Sequence, residues 1–318
     1  MNIHRFLRDW SLPIAMVGGA LSYLLYVNIP FFDSTHIFVS NVVAFLQPTL
    51  IFLMLFVTFC KIKINDLRVE RWHIILLLFQ LLLFIALSLI VALVPSLPFA
   101  LRLMLEAAML CLLCPTATAA AVITAKLGGN AASLISYTML INISVALVAP
   151  LFLTLSNPVA GLSFFSSFVL IMGKIFPLLL CPLLVAELVR RYMPAFHRFI
   201  VQKGRNIPFY LWLIALSIAI AMTTRAIVHS NISLLAMMGI AAVSLFCCVV
   251  QFLYGWFVGR RYGERVTGGQ ALGQKNTVFA IWLAYTFMTP VTAIAGGFYS
   301  VWHNIINTWQ LYNKNHKE

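Results

Sequence analysis

Acidic residues are scarce in this chain. Its 318 residues include eight, and Asp, Glu, Lys and Arg together make up 9%, against about 25% in soluble globular proteins. So few charges cannot cover the surface of a water-soluble protein of this size, which excludes ordinary soluble domains. The scarcity also removes chemistry. Of Asp9, Asp33, Asp66, Glu70, Glu106, Glu187, Glu264 and Glu318, only Glu106 and Glu187 lie in apolar runs. They form no paired-carboxylate motif that would hold Mg²⁺ for prenyl or phosphoryl transfer. Only one of the seven histidines, His303, lies well inside an apolar run. HExxH, P-loop and Ser-His-Asp patterns are missing. An enzyme is therefore not expected, nor ATP-driven transport by this chain alone. The six cysteines all lie in or at the end of apolar runs and imply no disulfide framework. Cys111-Leu-Leu-Cys114 has redox-motif spacing, but in that setting it reads as two small apolar residues.

Hydrophobic residues make up 62% of the chain, as expected for a membrane protein in one piece. Apolar runs bounded by charge, Pro or Gly predict ten spans. They are Ser11–Ile29, Ile37–Cys60, Trp72–Val94, Pro98–Ala125, Ala131–Leu155, Ser163–Val189, Asn206–Val228, Ser233–Gly259, Val266–Thr289 and Val291–Tyr312. The first run is too long for a signal-peptide core and is read as a retained helix. A single polytopic domain over residues 1–318 is expected, with one repeat over about 11–155 and a second over about 163–312.

The net charge of +13 would suggest nucleic acid in a soluble protein; here it reflects cytoplasmic loops, which collect Lys and Arg. The N-terminal arm, the Lys61–Arg71 loop, Lys126, the Arg190–Arg205 stretch, Arg260–Arg265 and the C-terminal tail hold nearly all the basic residues. The opposite side holds only Arg102 and Arg225. Both termini are thus expected in the cytoplasm, with the chain in the inner (plasma) membrane, which requires an even number of spans. The lipid bilayer is the expected partner, without nucleic acid or an obligatory protein.

Two basic residues, Lys174 and Lys275, fall inside spans, and an intramembrane charge is a functional signal. Two spans are also interrupted. The fourth contains Cys114-Pro115-Thr116-Ala117-Thr118, and the ninth contains Gly268-Gly269-Gln270-Ala271-Leu272-Gly273-Gln274-Lys275-Asn276-Thr277. Such stretches must face protein or a water-filled cavity. In matched positions of two halves they mark the site of a secondary transporter; otherwise they are helices kinked for close packing. Five spans per half force inverted topology.

Thr116 to Pro150, reading TATAAAVITAKLGGNAASLISYTMLINISVALVAP, resembles the fourth-to-fifth helix segment of the bile acid:sodium symporter family. ALGQKNTVFAIWLAYTF, followed by Ser300-Val301-Trp302-His303-Asn304, is similar to its ninth and tenth helices. The resemblance implies an all-α fold of two inverted five-helix repeats, in which broken fourth and ninth helices cross at the site. It also implies transport of an organic anion by alternating access, commonly with two sodium ions. Residue by residue, it assigns the substrate shell to Thr118, Asn276, His303 and Asn304.

At the sodium positions the match fails. The fourth-helix Ser-Asn pair falls on Ala120 and Ala121, one fifth-helix hydroxyl on Leu134, and the ninth-helix Glu on Ala271. Gln80 and Thr138 remain as ion-site positions, beside Gln274 and Lys275, where Lys275 replaces the family's Gln. Losing a carboxylate and gaining an ammonium disfavours a bound cation. Lys275 is therefore expected to replace a sodium ion, to hold the broken backbone through its carbonyls and to face the anion. The alternative is that it snorkels to the cytoplasmic interface. No cofactor is expected and sodium is doubtful, which leaves proton coupling, uncoupled transport and a sodium symporter with altered ion sites open. An antiporter of similar fold would need acids at the crossing.

Overall fold

The computed structural model describes residues 11–61, 68–157, 161–202 and 207–315. The arm with Arg5 and Arg8, the middle of the Lys61–Arg71 loop and Lys317 lie outside these residues. Among the described residues there are thirteen α-helices and no strand. They are α1 (Ser11–Asn28), α2 (His36–Cys60), α3 (Arg71–Leu93), α4 (Phe99–Leu113), α5 (Ala120–Lys126), α6 (Ala131–Ser156), α7 (Phe164–Tyr192), α8 (Pro194–Gln202), α9 (Ile207–Val228), α10 (Leu234–Arg261), α11 (Arg265–Gly273), α12 (Thr277–Phe287) and α13 (Pro290–Asn315).

Local chemistry sets several helix ends. Asn130 Oδ1 accepts from Ser133 N at 3.1 Å to start α6, and Ser163 and Ser233 cap α7 and α10 in the same way. Each satisfies an N–H that the first helical turn leaves free. Pro115 lacks an N–H and forces Cys114 into extended backbone (φ −60°, ψ 131°), so α4 stops at Leu113.

Six helices, α2, α3, α6, α7, α9 and α10, are long and apolar enough to cross a membrane. Ten spans were expected, the fourth and ninth of them interrupted. The other four fall on α1, which is shorter, on the pairs α4/α5 and α11/α12, and on α13, which carries a polar face. The Arg190–Arg205 stretch, read as a loop, contains the helix α8.

The packing runs in pairs. α1 lies against α9 and α2 against α7; α3 packs on α4 and α6, and α10 on α11 and α13; α5 meets α6 and α12 meets α13. A backbone-to-backbone approach joins α10 to α11. A Cβ on Gly255 would strike the Gly268 carbonyl, and one on Gly268 would strike the Gly255 carbonyl. Without side chains there, the two backbones touch, which is how helices associate where lipid gives no hydrophobic drive. Gly269 and Gly273 likewise leave room for the rings of Trp256 and Phe252. The glycines of the ninth span therefore serve packing, while the break itself lies at Gln274–Asn276.

Candidate functional site at a helix crossing

The two helix breaks meet. Thr116 and Lys275 form an antiparallel β-bridge, in which Ala117 N donates to the Gln274 carbonyl and Asn276 N to the Pro115 carbonyl, each at 2.9 Å. These bonds supply partners for backbone groups freed by the breaks, as a segment in a membrane requires. Thr116 Oγ1 donates to the Ala271 carbonyl at 2.6 Å and Tyr299 OH to the Gly273 carbonyl at 2.8 Å, tying off the end of α11.

Lys275 is 1% exposed and so does not snorkel. Its ammonium donates to Gln80 Oε1 at 2.6 Å, and Gln80 Nε2 donates to the Cys114 carbonyl at 3.0 Å. Tyr137 OH reaches the same Oε1 at 3.4 Å. Lys275 thus acts on the broken backbone through Gln80 instead of through carbonyls directly. An amide side chain spans the gap between α3 and the crossing that the ammonium alone does not. The electrostatic neighbours of the ammonium are the buried thiols of Cys114 just past the end of α4, of Cys111 on α4, and of Cys248 and Cys247 on α10. Among the described residues the ion pairs are Arg102–Glu106 and Arg190–Glu187, so this buried cation has no carboxylate beside it.

The expected substrate shell is only partly assembled. Asn276 is buried; its Oδ1 caps α12 by accepting from Phe279 N at 3.2 Å, and its Nδ2 has no partner. Thr118 is half-buried in the turn before α5. His303 is buried with Nδ1 unpartnered, its ring edge-on to Tyr299. Asn304 donates to the Ser300 carbonyl at 2.8 Å, which leaves its Oδ1 free. Both amide atoms of the fully buried Gln274 also lack partners.

At the expected ion-site positions, the Ala271 carbonyl accepts from Thr116 Oγ1 at 2.6 Å, and Thr138 Oγ1 donates its proton to the Leu134 carbonyl of its own helix at 2.9 Å, which leaves the oxygen lone pairs of that hydroxyl available. Gln80 Oε1 receives the ammonium. Among the described residues no three His, Cys, Asp or Glu side chains are grouped to hold a metal ion.

None of Thr118, Asn276, His303 and Asn304 lines the large cavity, of about 1950 Å³, between α1, α2, α7, α9 and α12. Its wall includes Lys174, Arg225, Gln47, Tyr23 and Trp282, and no acidic residue. Lys174 Nζ stands 5.7 Å from the centre of the Phe287 ring. Helix α12 connects the two features: it starts at the crossing with Thr277 and contributes Trp282, Tyr285 and Thr286 to the cavity wall. The sequence marks Lys174 only as an intramembrane charge and Arg225 only as a basic residue on the side opposite the cytoplasm; four of the five cavity helices lie outside the segments that carry the family resemblance.

No protein-family model matches this chain, and no curated protein matches it.

Proposed function

We propose that the chain is a secondary transporter of an organic anion, working by alternating access and resembling the bile acid:sodium symporter family. In this arrangement ten crossings form two inverted halves, α1 to α6 and α7 to α13, with both termini in the cytoplasm. The observation that carries the proposal is a buried cation without a carboxylate, at the crossing of two broken helices, next to an acid-free cavity that contains Lys174 and Arg225.

Further support comes from matched features of the halves. The pairing of α1 with α9 corresponds to that of α7 with α2, and α3 on α4 to α10 on α11. Gln80 with Tyr137 in one half has a counterpart in Gln251 with Tyr299 in the other, where Gln251 Nε2 donates to Tyr299 OH at 3.1 Å. Tyr137-Thr138 and Asn142 recur as Tyr299-Ser300 and Asn304 at the same spacing.

The cavity suits an amphipathic anion. Rings and aliphatic side chains take its body, and Lys174 and Arg225 attract a carboxylate or sulfonate into a low-dielectric site where charge acts strongly. Lys275 takes the place of a coupling sodium, with Gln80 as its acceptor.

The test is uptake of labelled carboxylates and sulfonates, taurocholate among them, into vesicles containing the purified protein, in choline and in sodium buffer. Uptake of at least one anion, equal in the two buffers, is expected. Uptake no greater than in protein-free vesicles for the whole panel refutes transport; uptake that requires sodium refutes the built-in cation. Melting temperature provides an independent check, since a cation that binds the folded state must raise it, by about 2.7 kcal/mol of stability at one hundred times its Kd. No rise with sodium over choline is expected.

A further inference from the structure

The basic end of α7 and the helix α8 that follows it fold back on the molecule. Ile200 of α8 is buried and Val201 packs against the core, whereas Phe196, Arg198 and Phe199 are exposed. Two side chains of this segment serve the fold. Arg190 donates to Glu187 at 2.6 Å and to the Phe59 carbonyl at 3.3 Å, and His197 Nε2 bonds the Cys60 carbonyl at 2.8 Å. Those are terminal carbonyls of α2, where a helix leaves acceptors unpaired and its dipole is negative. They fix α8 beneath the end of α2.

Arg191 and Arg198 are not used in this way. Both are exposed, and among the described residues no carboxylate lies within ion-pair distance of either. Arg191 stacks only over the Tyr192 ring, 5.8 Å from its centre. Around them Tyr192, Phe196 and Phe199 are 69%, 45% and 51% exposed. From Leu188 to Gln202 there is no acidic residue. Arg191 and Tyr192 end α7, and Phe196, Arg198 and Phe199 lie on α8 directly after it; exposed rings and arginines at such a helix corner have the composition of an interfacial segment on a negatively charged lipid surface.

We propose that the corner formed by the end of α7 and the outer face of α8 binds the headgroups of anionic phospholipids. Arg191 and Arg198 pair with lipid phosphate, and Phe196 and Phe199 seat in the boundary between headgroups and acyl chains. The rings select a lipid over a free phosphate, because they need an apolar partner that inorganic phosphate lacks. The site is separate from the proposed anion cavity and does not depend on transport.

Native mass spectrometry of the full chain, purified in neutral detergent, counts bound lipid directly. Dioleoylphosphatidylglycerol should bind at least tenfold more tightly than dioleoylphosphatidylcholine. In an R191Q/R198Q variant its affinity should fall about thirtyfold, given what each basic residue contributes at an anionic surface. Both arginines lie outside the core, so this variant should fold, and an unchanged melting temperature checks that it does. A Phe196→Ser/Phe199→Ser variant should also lose phosphatidylglycerol binding. Equal binding of the two lipids overturns the proposal, as does full phosphatidylglycerol binding by R191Q/R198Q. Displacement of the lipid by millimolar inorganic phosphate also overturns it, since the site would then read phosphate alone.

Discussion

Replacing Gln80 by Leu tests the crossing most directly, because this one amide serves both the ammonium and the broken backbone. Gln80 is fully buried, accepts from Lys275 at 2.6 Å and donates to the Cys114 carbonyl at 3.0 Å. A hydrogen bond to a charged group contributes about 1.5–3 kcal/mol, and stranding its buried partner moves the cost to the upper end of that range. The orphaned Cys114 carbonyl adds about 1 kcal/mol. Gln80→Leu should therefore destabilise the protein by about 4 kcal/mol, or about 8 °C in melting temperature at roughly 2 °C per kcal/mol for a long chain. Lys275→Met removes the charge and leaves Gln80 Oε1 with only the long contact from Tyr137, at about 1–2 kcal/mol. The double variant strands no charge and should lose only about 1 kcal/mol, so adding Lys275→Met should restore most of what Gln80→Leu removes. Melting curves of the four proteins in one detergent, in choline buffer, close the cycle. Losses that simply add, or a Gln80→Leu cost below about 1 kcal/mol, would show that Gln80 does not hold the ammonium.

Two further outcomes follow from packing and from the cavity. Gly255→Ala should cost about 1–3 kcal/mol by forcing α10 off the Gly268 carbonyl. Gly18→Ala, with nothing within 4 Å of the added methyl, should be neutral or stabilise by up to about 1 kcal/mol; equal effects in thermal unfolding would refute the close approach of α10 and α11. Lys174→Gln and Arg225→Gln should each weaken binding of a transported anion by roughly three- to tenfold, about what one partly solvated charge contributes, while the melting temperature stays put. Isothermal titration with unchanged affinity in both variants would remove them from the anion site.

Much of the architecture was legible in composition and periodicity, because lipid imposes so strict a rule. A segment that meets hydrocarbon must be apolar and must satisfy its own backbone, so α6 and α10 are found within a few residues of the runs Ala131–Leu155 and Ser233–Gly259. Pro115 in one apolar run and the polar stretch around Lys275 in another announced breaks for the same reason, and both are present. What the chain could not reveal was which groups the fold brings together across large separations. Gln80 and Lys275 are 195 residues apart, and nothing local says that an amide on α3 takes the ammonium. Lys174 and Arg225 share one cavity only because α7 and α9 both face α2 and α12. The nine residues of α8 are too few for a periodic signal, and Arg190 and His197 find their partners only where the end of α2 offers unpaired carbonyls. Spans and breaks thus follow from how each segment meets lipid. The ammonium's acceptor, the cavity and the outward face of α8 follow from how the segments meet each other, because long-range polar partners are chosen by proximity in three dimensions.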